Sequence, residues 1–155
     1  LMTRSVAEVQ GQKLMQENIK DKQGKERISV YEINLLNSDY SFPQRKNGTD
    51  AIWMSQFLDC FSMEEITNIL LKAKQAMTND TRIYIMETLW DRQRFETATL
   101  CLTMTSLYFT AIANGNSKMY NTEDMQTCIN NAGLEIEEIY DHLGQGHSII
   151  VCKIT

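Results

Sequence analysis

Two acidic residues stand where carboxylate chemistry is most useful. Asp59 follows the apolar run Ala51–Phe57, and Glu87 falls at the end of the apolar run Arg82–Thr88. A stretch with helical periodicity joins the two runs, so both read as parallel strands. Both acids then lie beyond the carboxyl ends of those strands, where open α/β sheets build their sites. A carboxylate so placed serves as a general base when it reaches a substrate proton. Two of them close together disfavour double ionisation, so one should titrate above the usual range. Each acid also has a plainer reading: Asp59 as part of the turn before Ser62, Glu87 as the partner of Arg92 or Arg94. Asn34-Leu35 closes an earlier apolar run and offers an amide and an apolar surface to a flat heteroaromatic ring, or else an Asx turn. Phe95, Thr99, Leu102 and Thr103 mix apolar and hydroxyl groups at helical spacing. That suits a pocket wall, although such residues more often serve as core.

The elements that would position these groups follow from hydrophobic periodicity and from breakers. Ser62-Met-Glu-Glu65 is a capping box. It opens a helix whose apolar face is Ile66, Ile69, Leu70, Ala73 and Met77. Asn79-Asp80 turns the chain into the strand Arg82–Thr88. A long helix is expected from Arg92 to Ala113, stopped by Asn114-Gly-Asn116, and a shorter one from Thr122 to Gly133, where glycine suits the left-handed residue after the last turn. Leu134–His142 and His147–Ile154, separated by Gly144-Gln-Gly146, predict an antiparallel hairpin. Upstream, Met2–Ile19 reads as a helix and Ile28–Asn34 as a strand. A loop at 37–49 follows, carrying Pro43 and Asn47-Gly48. This alternation predicts one α/β domain over residues 1–155, with a mainly parallel sheet and an antiparallel C-terminal hairpin.

Composition excludes several functions. With 15 Lys and Arg against 20 Asp and Glu, the net charge is -5, which argues against a nucleic-acid surface. The four cysteines lie far apart without Cys-x-x-Cys spacing or a paired His, so no metal site is expected and reduced thiols in a cytoplasmic protein are. The uncharged run Thr97–Ser117 is too rich in Thr, Ser and Asn for a membrane span. No Gly-x-Gly-x-x-Gly, P-loop, Gly-x-Ser-x-Gly or zinc motif is present.

The residues Asp50 to Glu64, followed by an apolar strand ending in Glu87, resemble the carboxyl-terminal catalytic part of the S-adenosylmethionine-dependent O-methyltransferases of the plant and acetylserotonin type and their bacterial relatives. The resemblance implies a Rossmann-like fold lacking its first two strands, S-adenosylmethionine as cofactor, and as substrate a hydroxyl of a small aromatic or otherwise apolar molecule. Asp59 falls where the family carries its His base, with Cys60, Phe61 and Ser62 at the Asp-Trp-Ser positions that follow. Glu87 matches the family's orienting acid, whereas Met119 stands near the place of its second acid. Asn34 and Leu35 match the pair that contacts adenine. Ser55 replaces a cofactor-contacting Lys and, with its neighbour Gln56, completes the implied cofactor set. The resemblance further implies that the glycine-rich loop and an amino-terminal dimerisation domain precede this stretch in a protein about twice as long. The chain alone is then expected to be inactive, and the parent a homo-oligomer. The contrasting expectation, from the replaced His, Lys and second acid, is a catalytically degenerate methyltransferase-like module for binding or oligomerisation.

Overall fold

A computed structural model describes residues 31, 33–43, 49–113 and 115–155. The chain divides into two compact units, residues 1–34 and 35–155. In the first unit, Tyr31, Ile33 and Asn34 have no regular secondary structure and Asn34 is exposed. The expected helix Met2–Ile19 and most of the expected strand Ile28–Asn34 lie outside the described residues.

The second unit holds a four-stranded sheet. Its strands are β1 (Ala51–Ser55), β2 (Arg82–Glu87), β3 (Leu134–Leu143) and β4 (His147–Ile154), in the order β1-β2-β4-β3. β1 and β2 pair in parallel with Ile52 opposite Ile83 and Met54 opposite Ile85. β4 then runs antiparallel to β2 and to β3, so one of the three pairings among the described residues is parallel. The hairpin thus lies on the far side of β2 from β1.

Period-two alternation decides which face of the sheet is buried. Ile52, Met54, Ile83, Ile85, Ile150 and Cys152 enter one core with Ile66, Ile69, Leu70 and Ala73 of α1 (Met63–Gln75) and Met125, Cys128 and Ile129 of α3 (Thr122–Asn131). On the other face Trp53 stays 56% exposed and stacks on Tyr84 with ring centroids 6.1 Å apart. The predicted capping box is present: Glu65 N–H donates to Ser62 Oγ at 3.3 Å, and Ser62 N–H donates to Glu65 Oε2 at 2.8 Å. Gly133, with φ 68, ends α3 as expected.

Two of the boundaries that differ from the sequence reading bear on the site. β1 stops at Ser55, because Gln56 adopts φ 45 and leaves the strand. The long helix does not start at Arg92. Trp90–Arg92 is a single 3-10 turn, and the regular helix α2 runs Glu96–Tyr108 before widening to a π-helical turn over Phe109–Ala113. Side chains at the start explain the delay. Arg92 is drawn into a two-pronged pairing with Asp141 of β3, and Gln93 Nε2 donates to Leu89 O at 2.7 Å and to Gly146 O at 3.0 Å.

Candidate active site

The parallel pair β1 and β2 ends at one edge of the sheet, and that edge carries both acids. Glu87 is the last residue of β2 and 4% exposed. Its Oε1 accepts from the backbone N–H groups of Phe57 at 2.9 Å and Leu58 at 2.8 Å. Those amides belong to the segment leading into the 3-10 turn Leu58–Cys60, which carries Asp59. Glu87 therefore braces the turn on which Asp59 is mounted. Neither Arg92 nor Arg94 is its partner: Arg92 serves Asp141, and Arg94 lies against Phe95.

Burial dominates the electrostatics. It pushes Glu87 up to about 7, helped by the charge of Asp59 and opposed by the donated amides of Phe57 and Leu58. Burial also raises Asp59, against hydrogen bonds from Cys60. The Cys60 thiol is raised in turn, first by burial and then by Asp59. Oδ1 of Asp59 is buried and has no hydrogen-bond partner. A buried polar atom without a partner is costly, and it marks a place where a donor group would be welcomed. The turn is held from the other side too, because Lys118 N–H donates to the Asp59 carbonyl at 3.1 Å and Ser117 Oγ to that of Cys60 at 3.3 Å.

The remaining sequence candidates separate into groups. Ser55 and Gln56 stand exposed at the end of β1 beside this turn. Gln56 N–H donates to Met86 O at 2.8 Å, and its side chain meets the His147 ring at the start of β4. Leu35 is half-buried against the core, and its carbonyl accepts from Lys72 Nζ at 2.6 Å. Asn34 belongs to the first unit. Phe95 sits at the start of α2, 65% exposed. Thr99 Oγ1 donates to Trp90 O at 3.0 Å, Thr103 Oγ1 donates to Thr99 O at 2.9 Å, and Leu102 is half-buried. Met119 lies close to the end of β2, its sulfur accepting from Thr88 Oγ1 at 3.5 Å.

Sequence reasoning missed a second feature of this edge, a cavity of about 220 Å³ between the start of α2 and the tip of the β3–β4 hairpin. Gln93, Arg94, Phe95, His142 and Gln145 contribute to it. The hairpin and its two histidines are visible in the sequence, but no local pattern says that residues 93–95 fold against them. The fold positions them through Gln93 and Arg92, which reach across some fifty residues of chain.

No protein-family model and no curated protein sequence matches the chain. Solved structures do match it. LaPhzM superposes with a TM-score of 0.73 at 16% identity, over 97% of this chain and 40% of LaPhzM. The mitomycin 7-O-methyltransferase MmcR gives 0.74 at 16% identity, over 99% of this chain and 40% of MmcR. The fold is a Rossmann-like methyltransferase fold. CalO1, a methyltransferase in calicheamicin biosynthesis seen in its SAH-bound form, gives 0.65 at 14% identity, over 89% of this chain and 38% of CalO1. At these identities the likeness is one of fold, and the chain spans less than half the length of each of these proteins.

Proposed function

We propose that the chain is the carboxyl-terminal part of the catalytic domain of an S-adenosylmethionine-dependent enzyme that methylates a hydroxyl of a small aromatic molecule. The observation that carries this is the carboxylate pair at the carboxyl edge of β1 and β2, Glu87 buried and Asp59 half-buried, in a methyltransferase fold, with one Asp59 oxygen left without a partner. Ser55 and Gln56 are exposed at the end of β1 and would flank the cofactor; the family resemblance assigns the adenine contacts to Asn34 and Leu35. When bound, the cofactor supplies an electrophilic methyl group on its sulfonium sulfur.

The protein's own residues then have separable tasks. Asp59 accepts the proton of the acceptor hydroxyl as the oxygen becomes nucleophilic. Its raised pKa makes it a stronger base than an ordinary aspartate, which offsets part of what is lost by not having a histidine. Glu87 is a positioning residue that fixes the Phe57–Leu58 backbone and, when ionised, adds negative charge that discourages Asp59 from staying ionised. Holding the two reactants in line supplies the larger share of the acceleration.

The setting is the cytoplasm, where Cys60, Cys101, Cys128 and Cys152, all unpaired in the structure, stay reduced. Among the described residues no helix is long and apolar enough to cross a membrane. A homo-oligomer would use α2, none of whose residues is buried and whose Leu100, Met104 and Leu107 form an exposed stripe. That stripe is also what favours the second reading, a methyltransferase-like module kept for assembly. The test is to incubate the whole protein that carries this chain with methyl-labelled S-adenosylmethionine and a panel of phenols. The enzyme reading expects label on a phenolic oxygen. Cofactor binding without transfer to any phenol, amine or carbon acid would favour the module.

A further inference from the structure

We infer that the cavity between the start of α2 and the β3–β4 hairpin is a binding site for an aromatic carboxylate. Under the proposed function, on which this part rests, that carboxylate is a group of the methyl acceptor.

The lining is unusual for this chain. Acids outnumber bases 20 to 15, yet no Asp or Glu lines the cavity, whereas Arg94 and His142 do. Arg94 has no carboxylate partner among the described residues. Its guanidinium lies 5.7 Å from the centroid of the Phe95 ring, so the charge is held beside an aromatic surface and is not spent on an ion pair. The nearest acid in sequence to His142 is Asp141, and it is already engaged by Arg92 and by Ser148 Oγ. A planar guanidinium presents paired donors that match a carboxylate in two places, and an exposed phenyl ring offers a face or edge to a second ring. The two together select a carboxylate attached to an aromatic ring. The volume, about 220 Å³, is below the usual range for drug-sized ligands and suits a single substituted ring.

The cavity is built with care. His142 has φ 59, one of two non-glycine residues in left-handed backbone among those described, the other being Gln56. Such conformations cost energy and persist only where the surroundings enforce them. Gly146, with φ 106, brings the hairpin so close to Gln93 that a Cβ would lie 2.5 Å from its Oε1. Gln93 then ties the tip to the start of α2. The cavity also adjoins the carboxylate edge: Gly146 precedes His147, which meets Gln56, and Ser148 pairs with Glu87 across β2 and β4.

Benzoate is the probe, titrated into the 155-residue chain with the amide resonances of Gly144 and Gly146 as readout. Binding with Kd on the order of 1 mM is expected for so small a ligand. Arg94→Gln should weaken it about tenfold or more, as for a lost charged hydrogen bond, with Arg94→Lys in between and benzamide binding as weakly as the glutamine variant allows. Unchanged affinity in Arg94→Gln, equal affinity for benzamide, or shifts confined to other parts of the chain would overturn the proposal. Benzoate binding here while the whole protein methylates other phenols but no hydroxybenzoate would overturn the assignment of the carboxylate to the methyl acceptor, and transfer to no phenol at all would count against the proposed function while leaving this site standing.

Discussion

At the scale of single residues, the buried Glu87 sets a pH dependence that can be read without any substrate. Glu87 keeps its proton in the folded chain up to about pH 7, while an unfolded chain releases it near the ordinary value of about 4.3. Between those limits the folded state binds more protons than the unfolded one, so stability falls as pH rises and levels off above the folded value. The loss attributable to Glu87 is at most about 4 kcal/mol. Glu87→Gln keeps an oxygen for the Phe57 and Leu58 amides but removes the titration. Denaturant unfolding of this variant should give a flatter stability profile between about pH 4.5 and 7, and an unchanged slope there would contradict the burial-driven shift. Asp141, held below the ordinary range by Arg92, and Glu65, held there by Asn116 and the Ser62 backbone, act in the opposite sense. Their contributions are lost at lower pH, so they leave this window undisturbed.

At the scale of elements, the most legible parts were those whose signal is local. Ser62 and Glu65 announce α1, and Gly133 closes α3, because caps depend on residues three or four apart. Replacing Ser62 by Ala should cost about 1 kcal/mol in chain stability, measured by denaturant midpoint. A loss near zero would mean that the Glu65 side chain alone satisfies the end of the helix. The start of α2 was not legible, since the residues that delay it, Arg92 and Gln93, answer to Asp141 and Gly146 on the distant hairpin. Residues 92–95 read as a helical start when seen alone, and tertiary partners override that preference. The carboxylate pair was visible as two strand-end acids. Its asymmetry was not, because which acid braces the backbone and which keeps a free oxygen depends on where Phe57 and Leu58 present their amides.

At the scale of the whole molecule, two surfaces are richer in exposed apolar side chains than an isolated domain needs. One is the sheet face with Trp53 and Tyr84; the other is α2, where even Ile112 in the π-helical turn is 74% exposed. The stripe of Leu100, Met104 and Leu107 repeats at helical spacing and fits a partner helix. Substituting Leu100 and Leu107 together by Gln should lower the weight-average mass in sedimentation equilibrium and leave the unfolding midpoint near that of the parent sequence. A mass equal to that of the unsubstituted chain at the same concentration would remove α2 from the assembly surface. Because the chain covers about 40% of MmcR and LaPhzM, activity is a question for the whole protein.

Under the proposed function, Asp59 takes the acceptor's proton while Glu87 holds the turn beneath it. In the whole protein, the rate of methyl transfer from S-adenosylmethionine to an accepted phenol should fall in Asp59→Asn by about 10²- to 10⁴-fold, the range typical of a lost general base. Affinity for S-adenosylmethionine, measured by calorimetry on the same sample, should stay close to that of the unsubstituted protein, because a base in this role would face the acceptor and not the adenosine. Wild-type transfer rates in Asp59→Asn, or loss of cofactor binding in step with the rate, would contradict the account.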